Sequence, residues 1–199
     1  MTFKSTRISF IIAISLIGLS NLLLGTEPMW LLLPGALFLV ALTYGSVSIQ
    51  SNFFLPVQCH KNTTEKLVAL SFDDGPHPEF TPQILSALAQ YKASATFFVI
   101  GKNIQGNENI LKQIDAAGHS IGNHSYSHSF FIDFKGQHGF KDEIRLTTES
   151  VAKVIGKRML LFRPPYGVTT PNIAKAIADL NCSAIGWSIR SFDTTYNSA

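Results

Sequence analysis

Leu67-Val68-Ala69-Leu70-Ser71-Phe72-Asp73-Asp74-Gly75-Pro76 is the stretch whose reading decides the fold. The run Leu67 to Phe72 is uncharged and has the length of a buried strand. Gly75-Pro76 then turns the chain sharply, so the two aspartates lie at a strand end, on the edge of a cleft. Neighbouring residues leaving a strand point in opposite directions, so one carboxylate can bind a cation while the other takes a proton. Read alone, Asp73-Asp74-Gly75 is more often an ordinary solvated turn.

Working outward from this stretch, strand and helix patterns alternate. Further strands are predicted at Ala95 to Ile100, His119 to Asn123, Met159 to Arg163 and Ser183 to Ser188. Thr81-Pro82 and Thr170-Pro171 each read as an N-cap followed by proline at the first helical position, with apolar residues at helical spacing behind them. Ile110, Leu111 and Ile114 before Gly118, and Phe140, Ile144, Val151 and Ile155 before Gly156, mark two more helices. Strands separated by helices pair in parallel, and the loops at their carboxyl ends gather on one face.

Three more chemical stretches lie at or just past such ends. His124 and His128 are spaced i, i+4, which on a helical turn brings two imidazoles to one face around a single Zn²⁺. Asp74 would complete a two-His, one-carboxylate set with positions left open, the pattern of a catalytic metal, and Ser125 would steady the loop. Alone, such a pair is more often surface decoration. Arg163 precedes Pro164-Pro165, which freezes a loop able to aim the Tyr166 backbone N–H at an oxyanion while the guanidinium grips a carboxylate. Read by itself it is a Pro-rich turn with an exposed arginine. Trp187, near Asp193, reads either as the lining of an acyl pocket or as a core aromatic.

The order Phe-Asp-Asp-Gly-Pro, His-Ser-x-x-His, Arg-Pro-Pro-Tyr resembles the polysaccharide deacetylases, carbohydrate esterase family four, over about Lys66 to Asp193. The resemblance implies a distorted β/α barrel that removes N-acetyl groups from amino sugars with a divalent metal, Zn²⁺ or Co²⁺. It implies Asp73 as catalytic base, Asp74, His124 and His128 as metal ligands, Arg163 as the partner of Asp73, and Tyr166 as the oxyanion donor. Pro165, Trp187 and Asp193 fall on its substrate side.

The sequence departs from that family pattern in two places. Arg190-Ser191-Phe192-Asp193-Thr194 stands where the family has Asp-x-x-Asp-Trp, and no Leu-x-His, whose histidine protonates the leaving amine, occurs before Ala199. The expectation is therefore an α/β fold forming an incomplete distorted barrel over residues 66–199, of which about five strands can be counted. A rival expectation is a relic that binds glycan or metal without turnover.

Ahead of this domain the chain is strongly apolar. Ile8 to Leu24 and Met29 to Ile49 carry no charge and are separated by Gly25-Thr26-Glu27-Pro28. Both reach the length needed to span a bilayer, which predicts a transmembrane hairpin at residues 1–50 and a linker at 51–65. No small-x-small cleavage site follows the first run, as a removable leader would require. Lys4, Arg7, Lys61 and Lys66 flank the hairpin and favour both ends in the cytoplasm, whereas the resemblance implies a glycan outside. A lipid-linked sugar at the inner surface would satisfy both, and the side is left open. A net charge of +3, from 16 basic and 13 acidic residues with no basic run, gives no sign of nucleic-acid binding. Cys59 and Cys182 lack the spacing of a zinc or redox motif.

Overall fold

The computed structural model describes residues 2–191. Two helices, α1 (Phe3–Leu24) and α2 (Leu32–Val47), form an antiparallel hairpin joined through a 3-10 turn at Pro28–Leu31. α1, and α2 together with the turn before it (Pro28–Val47), are long and apolar enough to cross a membrane, with mean hydropathy of 2.0 and 1.8 over their most apolar windows. Their side chains stay largely exposed, Leu22 at 81% and Val40 at 65%, so no protein core explains their apolarity. Phe10 and Phe38 stack between them at 4.4 Å.

The rest is a parallel α/β fold. Its strands are β1 (Val57–Gln58), β2 (Leu70–Gly75), β3 (Ala95–Val99), β4 (Ser120–Asn123), β5 (Leu161–Phe162) and β6 (Ser183–Ile185). They form one sheet in the order β1-β6-β5-β4-β3-β2, every pairing parallel. The connecting helices are α3 (Phe80–Gln90), α4 (Glu108–Ala116), α5 (Gly136–Ile155) and α6 (Pro171–Leu180). The predicted helix–strand alternation is therefore present. Among the described residues there is one strand more than expected, because Val57–Gln58, inside the span predicted as a linker, pairs with β6. Phe53 and Leu55 of that span are buried as well.

Strand alternation divides the side chains between the helix-covered face and the interior. Ala95, Phe97 and Val99 join the core beneath the helices with Leu88, Leu111, Ile114 and Val151. Phe98 points the other way, where its ring lies 4.0 Å beneath the Arg163 guanidinium carbon. Gly122 of the adjacent strand makes room for it, since a Cβ there would come within 2.5 Å of the Phe98 ring. A second cluster under α5 and α6 contains Phe140, Ile144, Phe162, Ile173 and Ile177.

Helix starts follow the predicted chemistry at one of two places. Thr170 caps α6, its hydroxyl accepting from the Ile173 N–H at 3.3 Å, and Pro171 opens the helix. Thr81 does not cap α3, which begins at Phe80. Its hydroxyl instead accepts from the His77 N–H at 2.9 Å, tying the turn after β2 to the helix's first turn, where Pro82 is tolerated.

Candidate active site

β2 runs three residues further than its apolar pattern, through both aspartates to Gly75. Phe72 pairs with Phe97 and Gly75 with Val99, so two residues of β2 stand opposite one of β3. This is a bulge, and Asp74 occupies it with a left-handed φ of 67°. Simple alternation would send the two carboxylates to opposite faces. The bulge re-aims Asp74, so that both take part in one site.

His124 follows β4 directly, its N–H donating to the Val99 carbonyl at 2.9 Å. Its Nδ1 lies 2.8 Å from the Arg163 carbonyl oxygen, which can only accept, so Nδ1 carries the proton and Nε2 presents its lone pair to the site. Burial, the largest influence, pushes the His124 pKa below its ordinary value. The charges of Asp73 and Asp74 and the Arg163 carbonyl oppose that shift without cancelling it. The ring is therefore held in the neutral form that a metal ligand needs.

Residues 124–128 are not helical, contrary to the spacing argument. Ser125 and His128 take left-handed φ values of 66° and 47°, and the Ser125 hydroxyl accepts from the His128 N–H at 3.1 Å. The turn brings the two imidazole centroids to 4.9 Å. Two residues unremarked in the sequence hold it in place. Asn123 accepts from the Ser125 N–H at 2.9 Å. Glu143 on α5 accepts from the N–H groups of Tyr126 at 2.9 Å and Ser127 at 2.7 Å, and pairs with Lys135. Burial works to raise the Glu143 carboxyl, but Lys135 and the Ser127 hydrogen bonds outweigh it and hold it below the usual carboxylate range. A signal for Glu143 existed: it falls on the apolar stripe of Phe140, Ile144, Thr147 and Val151, where a charge needs buried partners.

Asp74 Oδ1 lies 3.6 Å from His124 Nε2 and 3.3 Å from His128 Nε2. All three ligand atoms are within 4.8 Å of one another. Tetrahedral ligands at about 2.0–2.2 Å from Zn²⁺ sit about 3.4 Å apart, so the donor set and spacing fit such an ion.

Arg163 is buried at the end of β5, with its donors distributed among four acceptors. Nη1 donates to Asp73 Oδ1 at 2.7 Å and to the Ser71 hydroxyl at 2.8 Å. Nη2 donates to the Gly186 carbonyl at 2.9 Å, and Nε to the Ile185 carbonyl at 3.4 Å. Ser71 was legible in principle, because residues i and i+2 share a strand face.

Tyr166 takes a left-handed φ of 58°, packs its ring 4.7 Å from His128, and donates its hydroxyl to the His128 carbonyl at 3.3 Å. Pro165 is buried at the base of this loop. Trp187 lies against Gly167, where a Cβ would meet its ring at 2.6 Å, and 5.7 Å from the Arg163 guanidinium. Asp193 lies outside the described residues. Among the described residues, Asp74, Ser125, His128 and Tyr166 account for four of the seven non-glycine positions with positive φ. Each such conformation costs about 1–3 kcal/mol, and their concentration around one cluster marks a constrained site.

The parallel α/β sheet thus carries a two-His, one-carboxylate cluster able to hold a metal ion, beside an arginine-bound aspartate. A family model described as polysaccharide deacetylase matches residues 60–185, and the chain belongs to that family. It is 40% identical over 126 residues to a peptidoglycan-N-acetylglucosamine deacetylase of Bacillus cereus, covering 63% of this chain and 46% of the relative. It is 34% identical over 137 residues to the peptidoglycan-N-acetylmuramic acid deacetylase PdaA of Bacillus subtilis, covering 68% of this chain and 52% of that protein. The solved structure of the Bc1960 peptidoglycan N-acetylglucosamine deacetylase, bound to an N-hydroxybenzamide, superposes with a TM-score of 0.61 at 38% identity. That match covers 64% of this chain and 59% of Bc1960. The chain spans about half the length of the curated relatives it matches.

Proposed function

We propose that this protein removes acetyl groups from N-acetylated amino sugars of a glycan, using a divalent ion, Zn²⁺ or Co²⁺, held by Asp74, His124 and His128. The observation that carries the reading is Asp73, clasped by Arg163 at 2.7 Å, standing beside that ligand cluster. When bound, the ion supplies a Lewis acid for the acyl oxygen and makes water a better nucleophile at neutral pH.

The chain's own residues account for the remaining steps. Arg163 holds the Asp73 carboxylate in place, ready to take a proton from the attacking water. The Tyr166 N–H donates to the oxyanion that develops as the new C–O bond forms. When the C–N bond breaks, the departing nitrogen takes up the proton, and among the described residues Asp73 is the group that carries it. The products are acetate and a free sugar amine. Trp187 and Pro165 border the space for the acetyl group, and Asp193 belongs to the substrate side of the same reading.

We infer further that α1 and α2 anchor the protein in a membrane as a hairpin, with the catalytic domain on the side of the amino terminus. Their exposed apolar surfaces and lengths support this. The test of the activity is acetate release from N-acetylated chitooligosaccharides with added Zn²⁺ or Co²⁺. Metal-dependent acetate that falls about 10²–10⁴-fold in Asp73→Asn is the expected result. Glycan binding with no metal-dependent acetate would point to binding without turnover.

A further inference from the structure

The hairpin is bonded to the loops that border the site. The Thr169 N–H donates to the Ser46 carbonyl at 2.9 Å, and its hydroxyl to the Gly45 carbonyl at 3.1 Å. Gln50, just past α2, donates to the carbonyls of Trp187 at 3.1 Å and Ser188 at 3.3 Å. A Cβ on Gly45 would meet the Phe53 ring at 2.1 Å, so the end of α2 lies tight against the domain. Phe3, at the start of α1, donates its N–H to the Phe53 carbonyl at 2.9 Å. The domain is thus oriented relative to the hairpin by the carboxyl ends of its own strands, where the site lies.

The loop that holds Thr169 also starts a row of aromatic rings. Tyr166, three residues earlier in the same loop, packs edge-on against Phe130 at 5.9 Å. Phe130 packs on Phe131 at 5.4 Å, and Phe131 on Phe134 at 6.4 Å. These three phenylalanines are 73%, 67% and 84% exposed. An exposed aromatic cluster of this kind, on a loop rather than under a helix, marks an interaction surface. The loop that carries Tyr166 is also the one bonded to the hairpin, whose own surface is apolar, so the chemistry that fits the cluster is the headgroup–acyl boundary of the bilayer in which the hairpin is proposed to sit.

We propose that Phe130, Phe131 and Phe134 dip into the membrane interface and hold the mouth of the site against the lipid surface, so that the sugar it takes is carried on a lipid-linked glycan. This rests on the membrane-anchor and deacetylase readings above. Docking supplies a high local concentration of a substrate confined to the same surface and nothing for a sugar in bulk water.

The test uses the full chain reconstituted in phospholipid vesicles. Phe131→Cys, in a Cys59→Ser/Cys182→Ser background, is labelled with an environment-sensitive fluorophore and exposed to nitroxide-bearing lipids or to aqueous iodide. In parallel, Phe131→Ser/Phe134→Ser is assayed on one N-acetylated sugar presented either on a lipid anchor or in solution. The expected results are quenching by shallow nitroxide lipids with shielding from iodide, and a loss of about tenfold on the lipid-anchored sugar alone. Quenching by iodide but not by lipid overturns the docking, and so does an equal loss on both sugars, which would assign the rings to glycan stacking. If the label sits in lipid while the parent chain cleaves neither sugar, the docking stands and the deacetylase reading falls.

Discussion

Arg163 Nη1 donates to Asp73 Oδ1 at 2.7 Å although their strands, β5 and β2, are separated in the sheet by β4 and β3. In a flat sheet three strand spacings amount to about 14 Å, well beyond the reach of a guanidinium. The sheet therefore curls, and Arg163 bridges the curl from inside by also binding the carbonyls of Ile185, at the end of β6, and Gly186, just past it. The same contact that spans the curl also positions Asp73, the proposed catalytic base.

That double duty predicts the behaviour of Arg163→Lys. Lysine keeps the charge but has one compact donor head, which cannot serve Asp73, Ser71, Ile185 and Gly186 together. With Asp73 no longer held in place, kcat is expected to fall about 10²-fold while metal content stays at one ion per chain. Kinetics paired with metal analysis check this. A loss of metal in step with activity would mean that Arg163 supports the ligands instead.

Glu143 acts through the His124–His128 turn. Glu143→Gln replaces an anionic acceptor of the Tyr126 and Ser127 N–H groups with a neutral one and strands Lys135. The metal Kd is expected to rise about 10–100-fold, as for other residues that orient ligands. Competition titration against a chelator measures it. An unchanged Kd would reduce Glu143 to a fold-level contact.

Acid stability of the metal-free chain follows from His124. Its folded pKa is depressed, with burial the main cause, so the unfolded chain takes up the proton first on acidification. Stability is then intact above the ordinary value of 6.5 and declines as pH falls from there toward the depressed value. Glu143, also depressed, adds a separate decline below its ordinary 4.5. Thermal melts across this range, with His124→Asn flattening only the upper limb, are the expected outcome. Identical slopes in both proteins would remove His124 as the cause.

The site was more legible in the sequence than the path of the backbone through it. Asp74, His124 and His128 come together as their residue types and strand-end positions imply, yet not by the geometry first inferred. A helical i, i+4 pair was expected, and the structure uses left-handed residues at Ser125 and His128. Hydrophobic periodicity carries no information about a φ reversal stabilised by a serine hydroxyl and a distant Glu143. The bulge at Asp74 was hidden for a related reason, since it appears only as a register shift against β3. β1 was missed because two paired residues are too short to leave an alternating pattern, and its place is set by β6. The two apolar helices were readable as long uncharged runs, and the helices at Phe140 and Thr170 because each carries a helical period or a cap.

The most direct test of the central claim is a Zn²⁺ titration of the purified, metal-stripped chain beside Asp74→Ala and His128→Ala. One tight site per chain, bound through two imidazole nitrogens and one carboxylate by X-ray absorption and lost in both variants, is what the geometry predicts. Equal Zn²⁺ affinity in the parent and both variants would contradict it.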